Sequence, residues 1–211
     1  MEFTQFVKFT FNSRYVLRWL IPGTVIYIPV LNFFSLGYLS KMARVLMIGS
    51  IGLPTWEKKS EIWMEGIRII LICVLYEAIP FFIFSTGFFL STMSGIIGFF
   101  GKLSMQISYP VFLLFTFPLP FALSVYVEYL DIKRAFHYEE ILKGIKEVST
   151  SYVSGYICVL LGFYVAKKLI RLPYLGFFVS SIATYYVLIL ACYFFISLFK
   201  KTSLPQIRIE T

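Results

Sequence analysis

Charge is scarce in this chain: Asp, Glu, Lys and Arg make up 14% of its 211 residues, where soluble domains carry roughly 25%. A fold of this length leaves much of its surface against solvent, so 59% hydrophobic residues and a mean hydropathy of +0.81 require that solvent to be apolar. A water-soluble globular domain is thereby excluded and lipid is left. Histidine is rarer still, with His137 alone, so a histidine-based metal centre would lack companions. Cys73, Cys158 and Cys192 lie inside apolar runs without paired ligand spacing and read as small buried hydrophobes. No Gly-x-Ser-x-Gly elbow, no Gly-Lys-Ser/Thr phosphate loop and no dinucleotide fingerprint occurs. The sequence thus offers no catalytic residue, no cofactor site and no metal site, and a non-enzymatic protein is expected.

What is present is aromatic and basic. Phe (24) and Tyr (15) are abundant, as suits lipid-facing and interfacial positions. The formal charge of +8 sits in short clusters at the ends of apolar runs, which points to membrane orientation and anionic headgroups as partners. No nucleic-acid recognition signature accompanies it.

The pattern along the chain predicts an all-α fold, a polytopic transmembrane helix bundle in a single membrane domain, 1–211, with about five kinked spans and interfacial amphipathic helices. Phe3, Phe6, Val7, Phe11, Tyr15 and Val16 recur at helical spacing, predicting an interfacial helix over about 3–16 that is retained rather than cleaved. The first apolar run, 15–39, exceeds the ~20 residues a helix needs to cross a bilayer. It carries Pro22 and Pro29, so it is either one kinked span or a hairpin turning near Pro29–Asn32 that enters and leaves by one face. A basic interfacial helix is expected over 39–49, then a turn at Gly52-Leu53-Pro54-Thr55-Trp56 and an amphipathic approach, 57–65.

Further spans are predicted at about 67–89, 103–126, 152–166 and 174–199. Gly87, Gly95, Gly98 and Gly101 suggest an exterior loop between the second and third, and Pro110, Pro118 and Pro120 kink the third. Ile132, Phe136, Leu142, Ile145 and Val148 alternate with Lys and Glu, predicting an interfacial helix over 132–148. The tail from Lys200 reads as polar and mobile.

A weak internal echo sets Pro29 and Tyr38-Leu39 against Pro120 and Tyr129-Leu130, and Gly66-Ile67-Arg68 against Gly144-Ile145-Lys146. Five crossings place twelve Lys and Arg on one side and seven on the other. A hairpin moves Lys8, Arg14 and Arg18 across, giving fifteen to four. Either way the C-terminus is expected in the cytoplasm of a multi-pass cell-membrane protein. The echo favours five crossings.

Glu77 is the first candidate site residue. It lies about ten residues beyond Arg68, which at helical rise brings it ~15 Å deep, near the bilayer midplane. A carboxylate there needs a partner or a wet cavity, with Asn32 on a kinked neighbour as its expected companion. Two uses are open, movement of a proton or cation and a structural hydrogen bond. His137 and Glu57, Glu61, Glu65, Glu139, Glu140 and Glu147 read as solvated or headgroup-facing positions.

One stretch carries a resemblance. The apolar run ending Ile28-Pro29-Val30-Leu31-Asn32-Phe33, then Gly37-Tyr38-Leu39, Arg44, Gly52-Leu53-Pro54-x-Trp56 and Gly66 resembles the uncharacterised, mostly archaeal membrane family catalogued as domain of unknown function four-zero-one-three. The resemblance implies a multi-pass membrane location and transfers no catalytic residue. Three roles remain open: transport of a small solute or ion around Glu77, with a polar cavity reaching Asn32 or the third span; a scaffold or membrane partner for other proteins, with a dry bundle and its function between Arg44 and Arg68 and between Lys133 and Lys146; and a lipid-modifying enzyme built on Glu57, Glu61, Glu128, Asp131 and His137.

Overall fold

The computed structural model describes residues 3–50 and 53–204. The expected turn residue Gly52 and the tail beyond residue 204 lie outside the described residues. Within them the chain is helical, with no strand: α1 (Phe3–Thr10), α2 (Ser13–Val25), α3 (Asn32–Met47), α4 (Lys59–Ser91), α5 (Gly95–Thr116), α6 (Leu119–Tyr129), a short 3-10 turn (Lys133–Phe136), α7 (Tyr138–Glu147), α8 (Ser149–Leu169) and α9 (Gly176–Phe199). Among the described residues, four stretches are long and apolar enough to cross a membrane: Lys59–Ser91, Gly95–Tyr129, Ser149–Leu169 and Gly176–Phe199.

The run at 15–39 is not one kinked helix. It breaks at residues 26–31, where Pro29 can donate no backbone hydrogen bond and the β-branched Val30 is forced to φ 72°, a region that such side chains rarely enter. The chain reverses there. Tyr27 bonds Ser180 (3.0 Å) and Thr184 (2.5 Å), Trp19 packs on Tyr186, and Phe6 stacks on Tyr193 at 4.0 Å, so α2 descends as α9 ascends. In α3 the order is the other way: the Ser35 carbonyl accepts from Tyr185 (3.0 Å) and the Leu46 carbonyl from Lys200 Nζ (3.0 Å). Antiparallel α2 and α3, of 13 and 16 residues, are each shorter than a ~20-residue span.

Other boundaries also differ from expectation. The stretch 39–49 is the second half of α3, with Ser40, Met42 and Ala43 buried, so it packs into the bundle instead of lying on its surface. Gly49 then ends the helix at φ 78°, its N–H and that of Ser50 returning to the carbonyls of Leu46 and Val45, a glycine cap. The expected exterior loop over 87–102 is helical except at the turn Thr92–Ser94. Its small residues serve packing: a Cβ on Gly87 would meet Ser104 and the Met105 backbone, and one on Gly101 the backbone of Ser91. The third span is α5 and α6, interrupted at Phe117-Pro118. The helix at 132–148 is the 3-10 turn plus α7, which buries Ile141, Gly144 and Ile145 and exposes Lys143 and Lys146. The first tail residues are packed, with Thr202 and Leu204 buried.

Between apolar helices in lipid the hydrophobic effect gives little adhesion, and close approach of small residues supplies the packing. Fully buried tyrosines add a second device. Tyr38 donates to the Pro54 carbonyl (2.9 Å) and Tyr76 to that of Ala135 (2.7 Å), so a large ring fills the core while its hydroxyl satisfies an irregular backbone. Tyr76, Phe121, Tyr126, Tyr152 and Phe199 anchor one core cluster, and Tyr38, Met42, Tyr185 and Ile189 the other.

Candidate functional site

Among the described glycines, those at the crossing of α3 and α4 meet the closest neighbours. A Cβ on Gly37 would collide with the carbonyl of Ile62, and one on Gly66 with that of Phe33, so the two backbones touch. This approach lays Ser40 and Arg44 of α3 over Glu65 of α4. Its carboxylate is almost fully buried, at 9% exposed, and is enclosed by hydrogen bonds from Tyr126 of α6 (2.9 Å), Ser40 (3.3 Å) and Arg68, one turn along (2.8 Å). It also forms an ion pair with Arg44 Nη2. The arginine side chains remain 34% and 44% exposed. Two guanidinium groups against one carboxylate leave an excess of one positive charge. Arg44 Nε is buried and has no hydrogen-bond partner among the described residues.

The sequence reading of Glu65 as a solvated face is corrected here. A signal was present: Ile62, Glu65, Ile69, Ile72 and Tyr76 recur at helical spacing, so Glu65 stands in the apolar stripe that turns to the core. What could not be read was that Arg44 and Tyr126, far away in sequence, close over it.

Glu77 and Asn32 are not brought together. Asn32 opens α3, whose crossing with α4 lies at Gly66, eleven residues before Glu77, or ~16 Å along the helix. Both Glu77 carboxyl oxygens and Asn32 Oδ1 are buried without a hydrogen-bond partner among the described residues. His137 stands 3.7 Å from Glu140, both half-exposed. Glu61 pairs with Lys58 (3.1 Å), and Asp131 accepts from the Lys133 N–H (2.9 Å), so these carboxylates have local partners rather than forming a cluster.

Beside the Glu65 cluster lies a cavity of about 360 Å³ with apolar walls drawn from α3, α4, α5, α6, α8 and α9, among them Ser40, Ala43, Ile69, Val127, Tyr156 and Phe195. Ser40 belongs to both the cavity and the cluster. Ala43, Ile69 and Val127 are the sequence neighbours of Arg44, Arg68 and Tyr126. Neither Glu77 nor Asn32 lines this cavity.

A family model described as Protein of unknown function (DUF4013) matches residues 21–199. The chain is a DUF4013 protein. No curated protein and no solved structure matches it. In this DUF4013 protein the match runs from α2 to the last residue of α9 and includes Arg44, Glu65, Arg68, Tyr126 and Glu77.

Proposed function

We propose that this DUF4013 protein is a non-enzymatic, multi-pass protein of the cell membrane with a membrane-partner role: it holds two arginines at the boundary of the bilayer for an acidic partner, on the side that carries the C-terminus in the cytoplasm. The observation that carries this reading is the buried Glu65. Desolvating a carboxylate and its ion partners costs several kcal/mol per ion, and apolar packing of the same junction is often as stable. The carboxylate therefore has a use beyond adhesion, and the use its position supports is to fix Arg44 and Arg68. Glu65 and Arg68 precede the run from Ile69 to Phe89, whose only charge is Glu77, which supports headgroup depth for the pair. The apolar walls of the cavity beside them favour a dry bundle over an ion path.

A photo-crosslinking side chain placed at position 41, beside Arg44, in the full chain in its native membrane is expected to capture a discrete species that Arg44→Gln abolishes. A placement at position 161, on lipid-facing α8, should not capture it. Capture unaffected by Arg44→Gln, or none, would overturn the reading. A second reading, proton or cation movement, is favoured by the unpartnered Glu77 carboxyl. It requires pH-dependent flux in vesicles that Glu77→Gln removes, whereas the partner reading requires no flux.

A further inference from the structure

We infer that the acidic partner is an anionic glycerophospholipid, with one acyl chain in the cavity between α3, α4, α5, α6, α8 and α9 and its phosphate on Arg44 and Arg68. The inference rests on the membrane-partner reading and names the ligand at that site.

Three observations meet at one place. The cavity, at about 360 Å³, falls within the ~300–1,000 Å³ range of ligand pockets. Its walls are nearly all aliphatic and aromatic, with Ser40, Thr116, Ser124 and Tyr156 as the polar side chains among them. All four are already engaged: Thr116 and Tyr156 bond each other at 2.7 Å, Ser124 donates to the Pro120 carbonyl and Ser40 to Glu65. Such a surface recognises hydrocarbon.

Joined to the cavity through Ser40 stands the cluster with its unbalanced positive charge. Arg44 and Arg68 are both attracted to Glu65, yet one carboxylate neutralises only one of them. The nearby charges do not close the account. Glu61, one turn before Glu65, is paired with Lys58, and Lys41, one turn before Arg44, adds a further positive charge while its ammonium donates to the carbonyls of Thr55 (3.0 Å) and Glu57 (3.2 Å). A phosphodiester brings the single negative charge that is missing, in a form that guanidinium groups bind through paired N–H donors.

The third observation is a spare donor. Arg44 Nε is buried and finds no acceptor among the described residues, although buried polar atoms are satisfied in the great majority of cases and an exception calls for an explanation. A phosphate oxygen supplies the acceptor. A zwitterionic headgroup would supply the same oxygen but add a cation beside two arginines. The site should therefore select net charge as well as phosphate.

The full chain, purified in detergent with lipid of stated composition, is the material for the test. Native mass spectrometry should find phosphatidylglycerol retained at least tenfold over phosphatidylcholine from an equimolar mixture. Arg44→Gln removes the excess charge and should bring the two to near parity, whereas Arg44→Lys should keep most of the preference. Ala191→Phe, which fills the cavity wall, should lower retention of both lipids. Glycerol phosphate without acyl chains should not compete at concentrations where phosphatidylglycerol does.

Equal retention of the two lipids by the wild type would overturn the inference, as would a preference that survives Arg44→Gln, or displacement by glycerol phosphate alone. Should Arg44→Gln fail to fold, the wild-type competition and Arg44→Lys still decide. If lipid selection fails while crosslinking from position 41 still captures a protein that depends on Arg44, the membrane-partner reading stands and only the lipid assignment falls.

Discussion

Removing the charge at residue 65 separates a structural knot from ordinary surface. Glu65→Gln leaves two guanidinium groups without their carboxylate; breaking a fully buried pair costs about 3–5 kcal/mol, and with these arginines 34% and 44% exposed water takes up part of that. A clear fall in unfolding midpoint in detergent is expected, with Glu57→Gln, at an exposed position, as the silent control. Glu77 should behave differently. Its carboxyl oxygens have no hydrogen-bond partner among the described residues, so neither Glu77→Gln nor Glu77→Leu strands a donor. The Gln variant should lie within about 1 kcal/mol of wild type, and the Leu variant should be no less stable. A structural hydrogen bond, one of the two uses the sequence left open for Glu77, would give the reverse order, because Leu would leave the donor unpaired. Val30, at φ 72°, is strained at the α2–α3 reversal, where the left-handed region costs an L-residue roughly 1–2 kcal/mol. Val30→Gly should therefore raise the unfolding midpoint, and a lower one would show that the turn tolerates valine.

Among the elements, helix crossings differ in how much they can yield. A methyl group at Gly37 or Gly66 would meet backbone, which cannot move aside, whereas at Gly162 it would meet only the Val187 side chain at 3.0 Å. Overpacking costs typically 1–3 kcal/mol, and Gly37→Ala and Gly66→Ala should reach or exceed that range while Gly162→Ala stays below it. Denaturation by a harsh detergent would rank them. The end of the chain forms a second, weaker joint. Ser203 donates to Glu147 through both its hydroxyl and its N–H, and these bonds, with a smaller contribution from Lys143, hold the Glu147 carboxyl below its ordinary 4.5. A carboxylate whose folded value is depressed stabilises the contact above the unfolded pKa, and that contribution is lost as pH falls through the folded value. A spin label at position 201 should be immobilised near neutrality and released in acid below about 4.5. Glu147→Ala should release it at both pH values.

At the scale of the molecule, two crossings separate residues 53–58 from 130–148 and two more separate those from 200–204, if each of the four long apolar stretches crosses. Cysteines introduced at Glu57, His137 and Lys201, after replacement of the native three, should be labelled from one face only. With α2 and α3 as a hairpin, position 8 should join them, the arrangement with fifteen of the nineteen Lys and Arg on one side. Membrane class, helical architecture and the four long apolar stretches were legible in the sequence, because they depend on composition and on uninterrupted runs, which are local properties. The glycines between 87 and 102 misled for the same reason: alone they signal a loop, and only a partner helix turns them into a contact surface. The first run could be read two ways, since proline breaks a helix without stating the angle, and packing of α2 and α3 on α9 chose the reversal. Glu65 was beyond reach of any local pattern. Its burial depends on two backbones meeting at Gly37 and Gly66, which brings Arg44 and Tyr126 from 21 and 61 residues away, and a carboxylate becomes a buried ion pair only when tertiary structure supplies its counter-charges.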